Sequence, residues 1–220
     1  YRHTLEAYHE LITKENPIEQ TLSDAKRQLD LEYAKITNVL NLEWLTCVGE
    51  KGAWFTETGL KRQEDFYKNE SDTSVKQVVI VCDALRYEVA KELMQELAKE
   101  KHIATIDAYQ AMLPTETKYC KPALLPHHSL ELNGTDMMVD GTLLTTTEQR
   151  TAHLGKYREG AICMRYEDVM NGDAQSMREL FKRPLVYIFY DTIDEAGHSQ
   201  SPFEVIGACR KAIEQLTVLV

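Results

Sequence analysis

Two aspartates, a histidine and a pair of threonines occupy positions from which metal-assisted chemistry could be done. In VVIVCDALRYE, residues 78–88, five apolar residues end at Cys82 and Asp83 follows at once. A short apolar run bounded in this way predicts a buried strand, at whose end an unpaired charge would be expensive. Asp83 therefore either caps the helix that follows or holds a metal. In DEAGH, Asp194 and His198 stand four residues apart, with Gly197 permitting a tight turn between them. A carboxylate and an imidazole at that spacing can converge on one Zn²⁺; a solvated acidic loop with a surface histidine accounts for the same residues. PTETKYCKPALLP, residues 114–126, offers Thr115 and Thr117. A threonine hydroxyl is a weak nucleophile until a metal lowers its pKa and positions it, and either threonine could instead be a helix N-cap. Spacing alone does not choose between them. No GxGxxG, GxxxxGK[ST] or GxSxG pattern occurs, which removes the dinucleotide, Walker and serine-elbow readings.

The elements that must position these groups change in character along the chain. Up to about residue 64 the pattern is helical. A first helix covers TLEAYHELITK, and a second, starting near Pro17, carries Ile18, Leu22, Ala25, Leu29, Tyr33, Ile36 and Leu40 at intervals of mostly three or four. The two are expected to pair antiparallel. YKNESDTSVK, residues 67–76, reads as a linker. After it, strands and helices alternate: a strand over 78–82, a helix over 88–101, a strand in HIATIDAY, and a long irregular stretch containing NGTD and DGT turns. A helix around AQSMRELFKR, a strand in PLVYIFY (184–190) and a final helix follow. Ser201, Pro202 and Glu204 form the capping signature of that last helix. Alternation of this kind predicts an α/β domain with a parallel sheet. Ligands of such sheets sit outside the carboxyl ends of the strands, where Asp83, Thr115, Thr117, Asp191, Asp194 and His198 all fall. The expected division is a helical segment over 1–74 and an α/β domain over 75–220.

Composition narrows the function classes. The chain has 220 residues, 43% hydrophobic and 27% charged, with a formal net charge of −10. That charge argues against a broad nucleic-acid-binding surface, which needs clustered Lys and Arg, but leaves room for a local basic pocket. No apolar run approaches the ~20 residues that span a bilayer, and the opening YRHTLEAYHEL lacks a signal-peptide core. Cys47, Cys82, Cys120, Cys163 and Cys209 include no CxxC pair, a pattern that suits reduced thiols in the cytoplasm. A first residue other than Met, and a last helix still running at Val220, lead to the expectation that the chain is a fragment of a longer protein.

Taken together, the three segments resemble the alkaline phosphatase superfamily, and its PglZ family in particular. VVIVCDALRYE is similar to a strand ending in D-[GA]-x-R-x-E; PTETKYCKPALLP is similar to P-[ST]-x-T followed by an aliphatic pair; DEAGH is similar to D-x-x-G-H. Counted back from Leu124 and Leu125, the resemblance gives the nucleophile position to Thr117, not Thr115. It covers roughly residues 75–220 and implies an alkaline phosphatase-like sheet flanked by helices. It also implies a two-metal phosphohydrolase, zinc being the expected metal, with Asp83 and Thr117 on one ion and Asp194 and His198 on the other. A later aspartate–histidine pair and a last histidine of the superfamily have no counterpart up to Val220. Arg86 and Lys118 could hold non-bridging oxygens, Asp191 could orient a ligand from outside, and His127 and His128 read as a polar turn. The implied substrate is a phosphate ester, preferably a diester such as a nucleotide or nucleic acid. The implied setting is a BREX-type bacterial phage-defence system with a DNA methyltransferase among its components. The rival readings are a non-catalytic scaffold of the same fold and a phosphomutase or sulfatase on the same metal frame.

Overall fold

The structure is a computed structural model that describes residues 1–12, 19–51, 59–199 and 201–220. In chain order the elements begin with α1 (Arg2–Ile12), α2 (Glu19–Lys51), β1 (Lys61–Arg62), α3 (Phe66–Glu70), β2 (Gln77–Cys82) and α4 (Tyr87–Lys99). They continue with β3 (Tyr109–Gln110), α5 (Thr117–Ala123), β4 (Leu130–Asn133), β5 (Asp136–Val139), α6 (Thr147–Tyr157) and β6 (Ile162–Arg165). The last are α7 (Tyr166–Met170), α8 (Ala174–Leu180), β7 (Leu185–Tyr190), α9 (Thr192–Ser199) and α10 (Pro202–Leu219). These form two compact units, one of residues 1–58, 88–102 and 195–220, the other of residues 59–87 and 103–194.

The second unit carries a parallel sheet in the order β2-β7-β6. All six residues of β7 are buried, which is why PLVYIFY is apolar at every position rather than at alternate ones. β2 and β7 run in register from Gln77 opposite Leu185 to Cys82 opposite Tyr190. The pairing extends one residue further, with the Asp83 amide donating to the Tyr190 carbonyl at 3.0 Å. Val81, Leu125, Val139, Leu154, Tyr187 and Phe189 lie in the core around this sheet.

Three expectations for this unit change. The strand expected in HIATIDAY reduces to Tyr109–Gln110 and pairs with β1, outside the three-stranded sheet. The irregular stretch holds a β4–β5 hairpin that turns on Gly134, at φ +63, inside the NGTD signal. The linker over 67–76 is an ordered connection: Asp72 accepts from the Ser74 amide at 2.8 Å, and Arg158 donates to the carbonyls of Asp72 and Val75.

Asp140 secures the hairpin base. Its carboxylate accepts from the amides of His128 and Ser129, each at 2.8 Å, and from the Tyr157 hydroxyl. Burial opposes the charge, but these three donors outweigh it and hold the pKa down at about 2. A depressed carboxylate stabilises the fold above its unfolded pKa and loses that contribution as pH falls through the folded one. Asp140→Asn is therefore expected to cost about 1–2 kcal/mol near neutral pH. The gap to the native chain should close between about pH 4 and pH 2. Urea midpoints at pH 6 and pH 3 check this; a gap that does not shrink would point to lost hydrogen bonds instead of lost charge.

In the first unit, α1 and α2 pair antiparallel as expected: Tyr1 stacks on Tyr33 at 4.0 Å between centroids, while Tyr8 reaches Ser23 at 3.3 Å. Pro17, the expected start of the second helix, lies outside the described residues. α10 closes on α1 through His9 stacked on Phe203 and Arg210 paired with Glu6 at 3.3 Å. Its Ser201–Glu204 capping box is present. Beyond Tyr33 the apolar residues of α2, from Ile36 to Leu45, remain exposed.

Candidate active site

The site is built where two strands end. Because β2 and β7 are parallel and in register, the residue after each strand falls at the same edge: Asp83 after Cys82, Asp191 after Tyr190. Ala84 then turns the chain with φ +60, a left-handed conformation that suits glycine better than alanine. Its amide donates to Asp83 Oδ1 at 2.9 Å, which fixes that oxygen and leaves Oδ2 for the site.

α5 supplies the remaining groups. The Leu113–Pro114 bond is cis, and the Glu116 amide donates to the Pro114 carbonyl at 2.9 Å, making a tight turn around Thr115. Thr117 is the first residue of the helix. Behind it the helix is pinned to the core by Leu125, which is buried, and by Tyr187, whose hydroxyl donates to the Leu124 carbonyl at 3.0 Å. So anchored, Thr117 donates from Oγ1 to Asp83 Oδ2 at 3.2 Å. Lys121, one helical turn on, shares the same face. Its ammonium lies 2.9 Å from Asp83 Oδ2 and 2.6 Å from Asp191 Oδ1, with the side chain only 14% exposed. Burial acts to lower the Lys121 pKa, but the hydrogen bonds to Asp191 and Asp83 prevail and hold it above the ordinary lysine value. A cation is thus fixed between two strand-end carboxylates.

Beside this cluster opens a cavity of about 560 Å³ whose wall includes Thr117, Lys118, Lys121, Arg150, Arg165 and Asp191. Lys118 is half exposed and pairs with Glu116 at 3.3 Å. Arg86 is exposed and is not among the residues of this wall. Thr115 is likewise exposed and outside it. His127 contacts the Leu125 carbonyl through Nδ1 at 2.7 Å, in keeping with a polar turn.

Asp194 and His198 stand on α9, which runs from Thr192 to Ser199 without a break. Gly197 is therefore inside a helix and makes no turn, and the two side chains are one helical turn apart on one face. Among the described residues no three His, Cys, Asp or Glu side chains gather as a metal-ligand group. The donor chemistry nevertheless fits a cation at the strand ends. Two carboxylate oxygens flank one point at which an ammonium already stands, and the Thr117 hydroxyl lies against one of those oxygens. Oxygen donors of this kind suit hard divalent ions. Lys121 and the arginines were missed in the sequence because long cations are common on helix surfaces. The available signals were the Thr117–Lys121 spacing of one helical turn and the T-x-x-Q capping box of Thr146 and Gln149, which announces α6 and hence Arg150.

Comparison with known proteins decides the family. Residues 64–220 match the family described as "BREX system PglZ alkaline phosphatase-like domain". The chain belongs to the PglZ family. It is 31% identical over 192 residues to "Alkaline phosphatase-like protein PglZ" of Bacillus cereus (strain H3081.97), covering 83% of this chain and 22% of that protein. It is 33% identical over 174 residues to "Alkaline phosphatase-like protein BrxZ" of Escherichia coli O9:H4 (strain HS), covering 74% and 20% respectively. The chain thus spans about a fifth of the length of these relatives. The PglZ match includes every sequence segment on which the site was built, Asp83, Thr117 and the α9 pair alike. No helix among the described residues is long and apolar enough to cross a membrane.

Proposed function

We propose that this PglZ domain contributes the nucleophile and metal-binding residues of a divalent-metal-dependent phosphohydrolase that cleaves phosphate diesters in BREX-type phage defence. The observation that carries this reading is the Thr117 hydroxyl, hydrogen-bonded to the strand-end carboxylate of Asp83 and open to a cavity with cationic walls. Attack by Thr117 Oγ1 on phosphorus would form a threonyl phosphodiester as the bond to the leaving alcohol breaks, the proton of the hydroxyl ending on that alcohol. Water would then release the phosphate monoester and restore the hydroxyl. Asp83 orients the hydroxyl and carries negative charge next to the proton that must leave. Lys118 offers an ammonium to non-bridging oxygens from the cavity wall. Asp83, Thr117 and Asp191 would hold one metal, and Asp194 and His198 would contribute to a second. Bound there, such ions supply Lewis-acid charge that lowers the Thr117 pKa and offsets charge on the leaving oxygen.

Asp83→Asn tests this directly in the intact protein. It is expected to lower bound divalent metal and turnover of a chromogenic diester at least tenfold, while melting shifts by less than about 5 °C. Normal metal content in that variant would defeat the ligand assignment. Parallel assays with a monoester and a sulfate ester separate the diesterase reading from the mutase and sulfatase ones.

One observation favours a scaffold reading, in which the fold is kept and the chemistry is not. The Lys121 ammonium stands at the point between Asp83 and Asp191 where a metal would neutralise the same charges.

A further inference from the structure

The reading above uses Thr117, Asp83, Asp191 and the lysines of α5, but it leaves the two arginines of the cavity wall without a task. Arg150, on the first turn of α6, lays its guanidinium over the Phe189 ring with Cζ 4.5 Å from the centroid. Among the described residues Arg150 has no carboxylate partner, although it lines a cavity that also holds Asp191. Stacking holds the guanidinium plane and leaves its N–H edge available for a planar, two-pronged acceptor. Arg165, at the end of β6, lines the same cavity. Its one ion pair is a long contact through Nε to Glu167 at 3.7 Å, and the side chain is 61% exposed.

Phe189 also places these cations relative to the strand-end cluster. The Lys121 ammonium lies 5.9 Å from the same ring centroid. The sum of the two distances limits the separation of Lys121 Nζ and Arg150 Cζ to about 10 Å. One aromatic ring therefore ties the cation beside Thr117 to a second one that lines the same cavity. A phosphoryl group at Thr117 already has the Lys118 and Lys121 ammoniums on its own helix, which leaves Arg150 available to a second, linked group.

We propose that Arg150, supported by Arg165, forms a subsite for a second phosphate, so that the substrate is a small molecule carrying two linked phosphates. A nucleoside diphosphate ester has this chemistry. The proposal rests on Thr117 as the reacting end of the cavity. It favours a small ligand over a nucleic-acid strand for two reasons. About 560 Å³ is the size of a small-molecule pocket, and a chain of net charge −10 has little surface for a long polyanion. It also makes Arg150 a specificity residue: the guanidinium never meets the scissile bond, but it selects what is attached to it.

The test is binding, kept separate from turnover. Methylenediphosphonate, which cannot be hydrolysed between its phosphorus atoms, and methylphosphonate are titrated calorimetrically into the intact protein in buffer without added divalent ions. The diphosphonate is expected to bind at least tenfold tighter than the monophosphonate. Arg150→Gln should remove that preference. Arg165→Gln, at an exposed position that does not endanger folding, should reduce it several-fold, and Thr117→Ala should leave it intact. Equal affinity for the two ligands, or an unchanged preference in both arginine variants, overturns the subsite. A single-stranded oligonucleotide that binds tighter than the diphosphonate through Arg150 overturns the small-molecule assignment. If Thr117→Ala keeps its turnover while Arg150→Gln loses the binding preference, the nucleophile reading fails and the subsite stands.

Discussion

On the proposed reading, Thr117→Ala is expected to lower diester turnover of the intact protein by at least about 10³-fold, as removal of an attacking group does, while Thr117→Ser should keep a measurable part of it. The serine retains the oxygen that donates to Asp83 Oδ2 at 3.2 Å; the alanine leaves nothing to attack phosphorus. Thr115→Ala is expected to stay within about tenfold of the native rate. Thr115 sits in the turn that leads to α5 and is not on the cavity wall, so its hydroxyl is placed to shape the approach and not to react. Rates for the three variants are compared after circular dichroism confirms equal helicity. Undiminished turnover in Thr117→Ala would remove the covalent route, and with it the main chemical argument for a phosphohydrolase.

Lys121→Met produces the second large effect, on stability and metal response together. Removing the ammonium leaves Asp83 and Asp191 facing a common point with no counter-charge. Truncating one member of a buried charge cluster is strongly destabilising, and the partial exposure of Asp191 moderates it to about 2–3 kcal/mol. A divalent ion binding at the vacated point should restore much of that loss by mass action. Melting is therefore measured with and without Mg²⁺, Mn²⁺ and Zn²⁺. The metal-induced rise should be larger in Lys121→Met than in the native chain, because the ion no longer competes with an ammonium. No metal response in either protein would favour the scaffold reading over the enzyme.

The fold and the site differ in how much of each the sequence disclosed, and the differences have physical causes. β7 was legible because a strand buried on both faces leaves an uninterrupted apolar run, LVYIFY, and β2 was legible from the like run VVIVC, although only its Val81 is fully buried. The capped α10 was legible because Ser201 and Glu204 satisfy its open amides. HIATIDAY misled because β-branched residues favour extended backbone whether or not a neighbouring strand is present. Gly197 misled in a similar way, since glycine permits a turn but does not compel one. In the site, Asp83 was found because a carboxylate after an apolar run is conspicuous. Asp191, its equivalent on β7, reads in the sequence only as an outer orienting group, because its place opposite Asp83 depends on a register that joins residues more than a hundred positions apart. Lys121 was hidden for the opposite reason: as a lysine in a short polar helix it looks like solvent-facing charge until the carboxylates opposite it are known. Thr117 was chosen over Thr115 by family resemblance, and the hydrogen bond to Asp83 gives that choice a geometric counterpart.

The central position of β7 has a consequence for how the chain is made. Among the described residues both β2 and β6 pair with β7 and with no other strand. β2 begins at Gln77 and its partner at Leu185, an interval of 108 residues. At ribosomal speeds of roughly 5–20 residues per second, β2 waits about 5–20 s for its partner to be synthesised. Throughout that interval QVVIVC is an apolar segment whose backbone amides and carbonyls have no native ladder to join, the kind of stretch that pairs with whatever strand is nearest. A nascent chain halted anywhere before Leu185 therefore lacks the three-stranded sheet and has no edge on which Asp83 and Asp191 can meet. Such a chain exposes the kind of apolar strand that holding chaperones cover, and the strand-end edge comes into being only when β7 takes its place between β2 and β6.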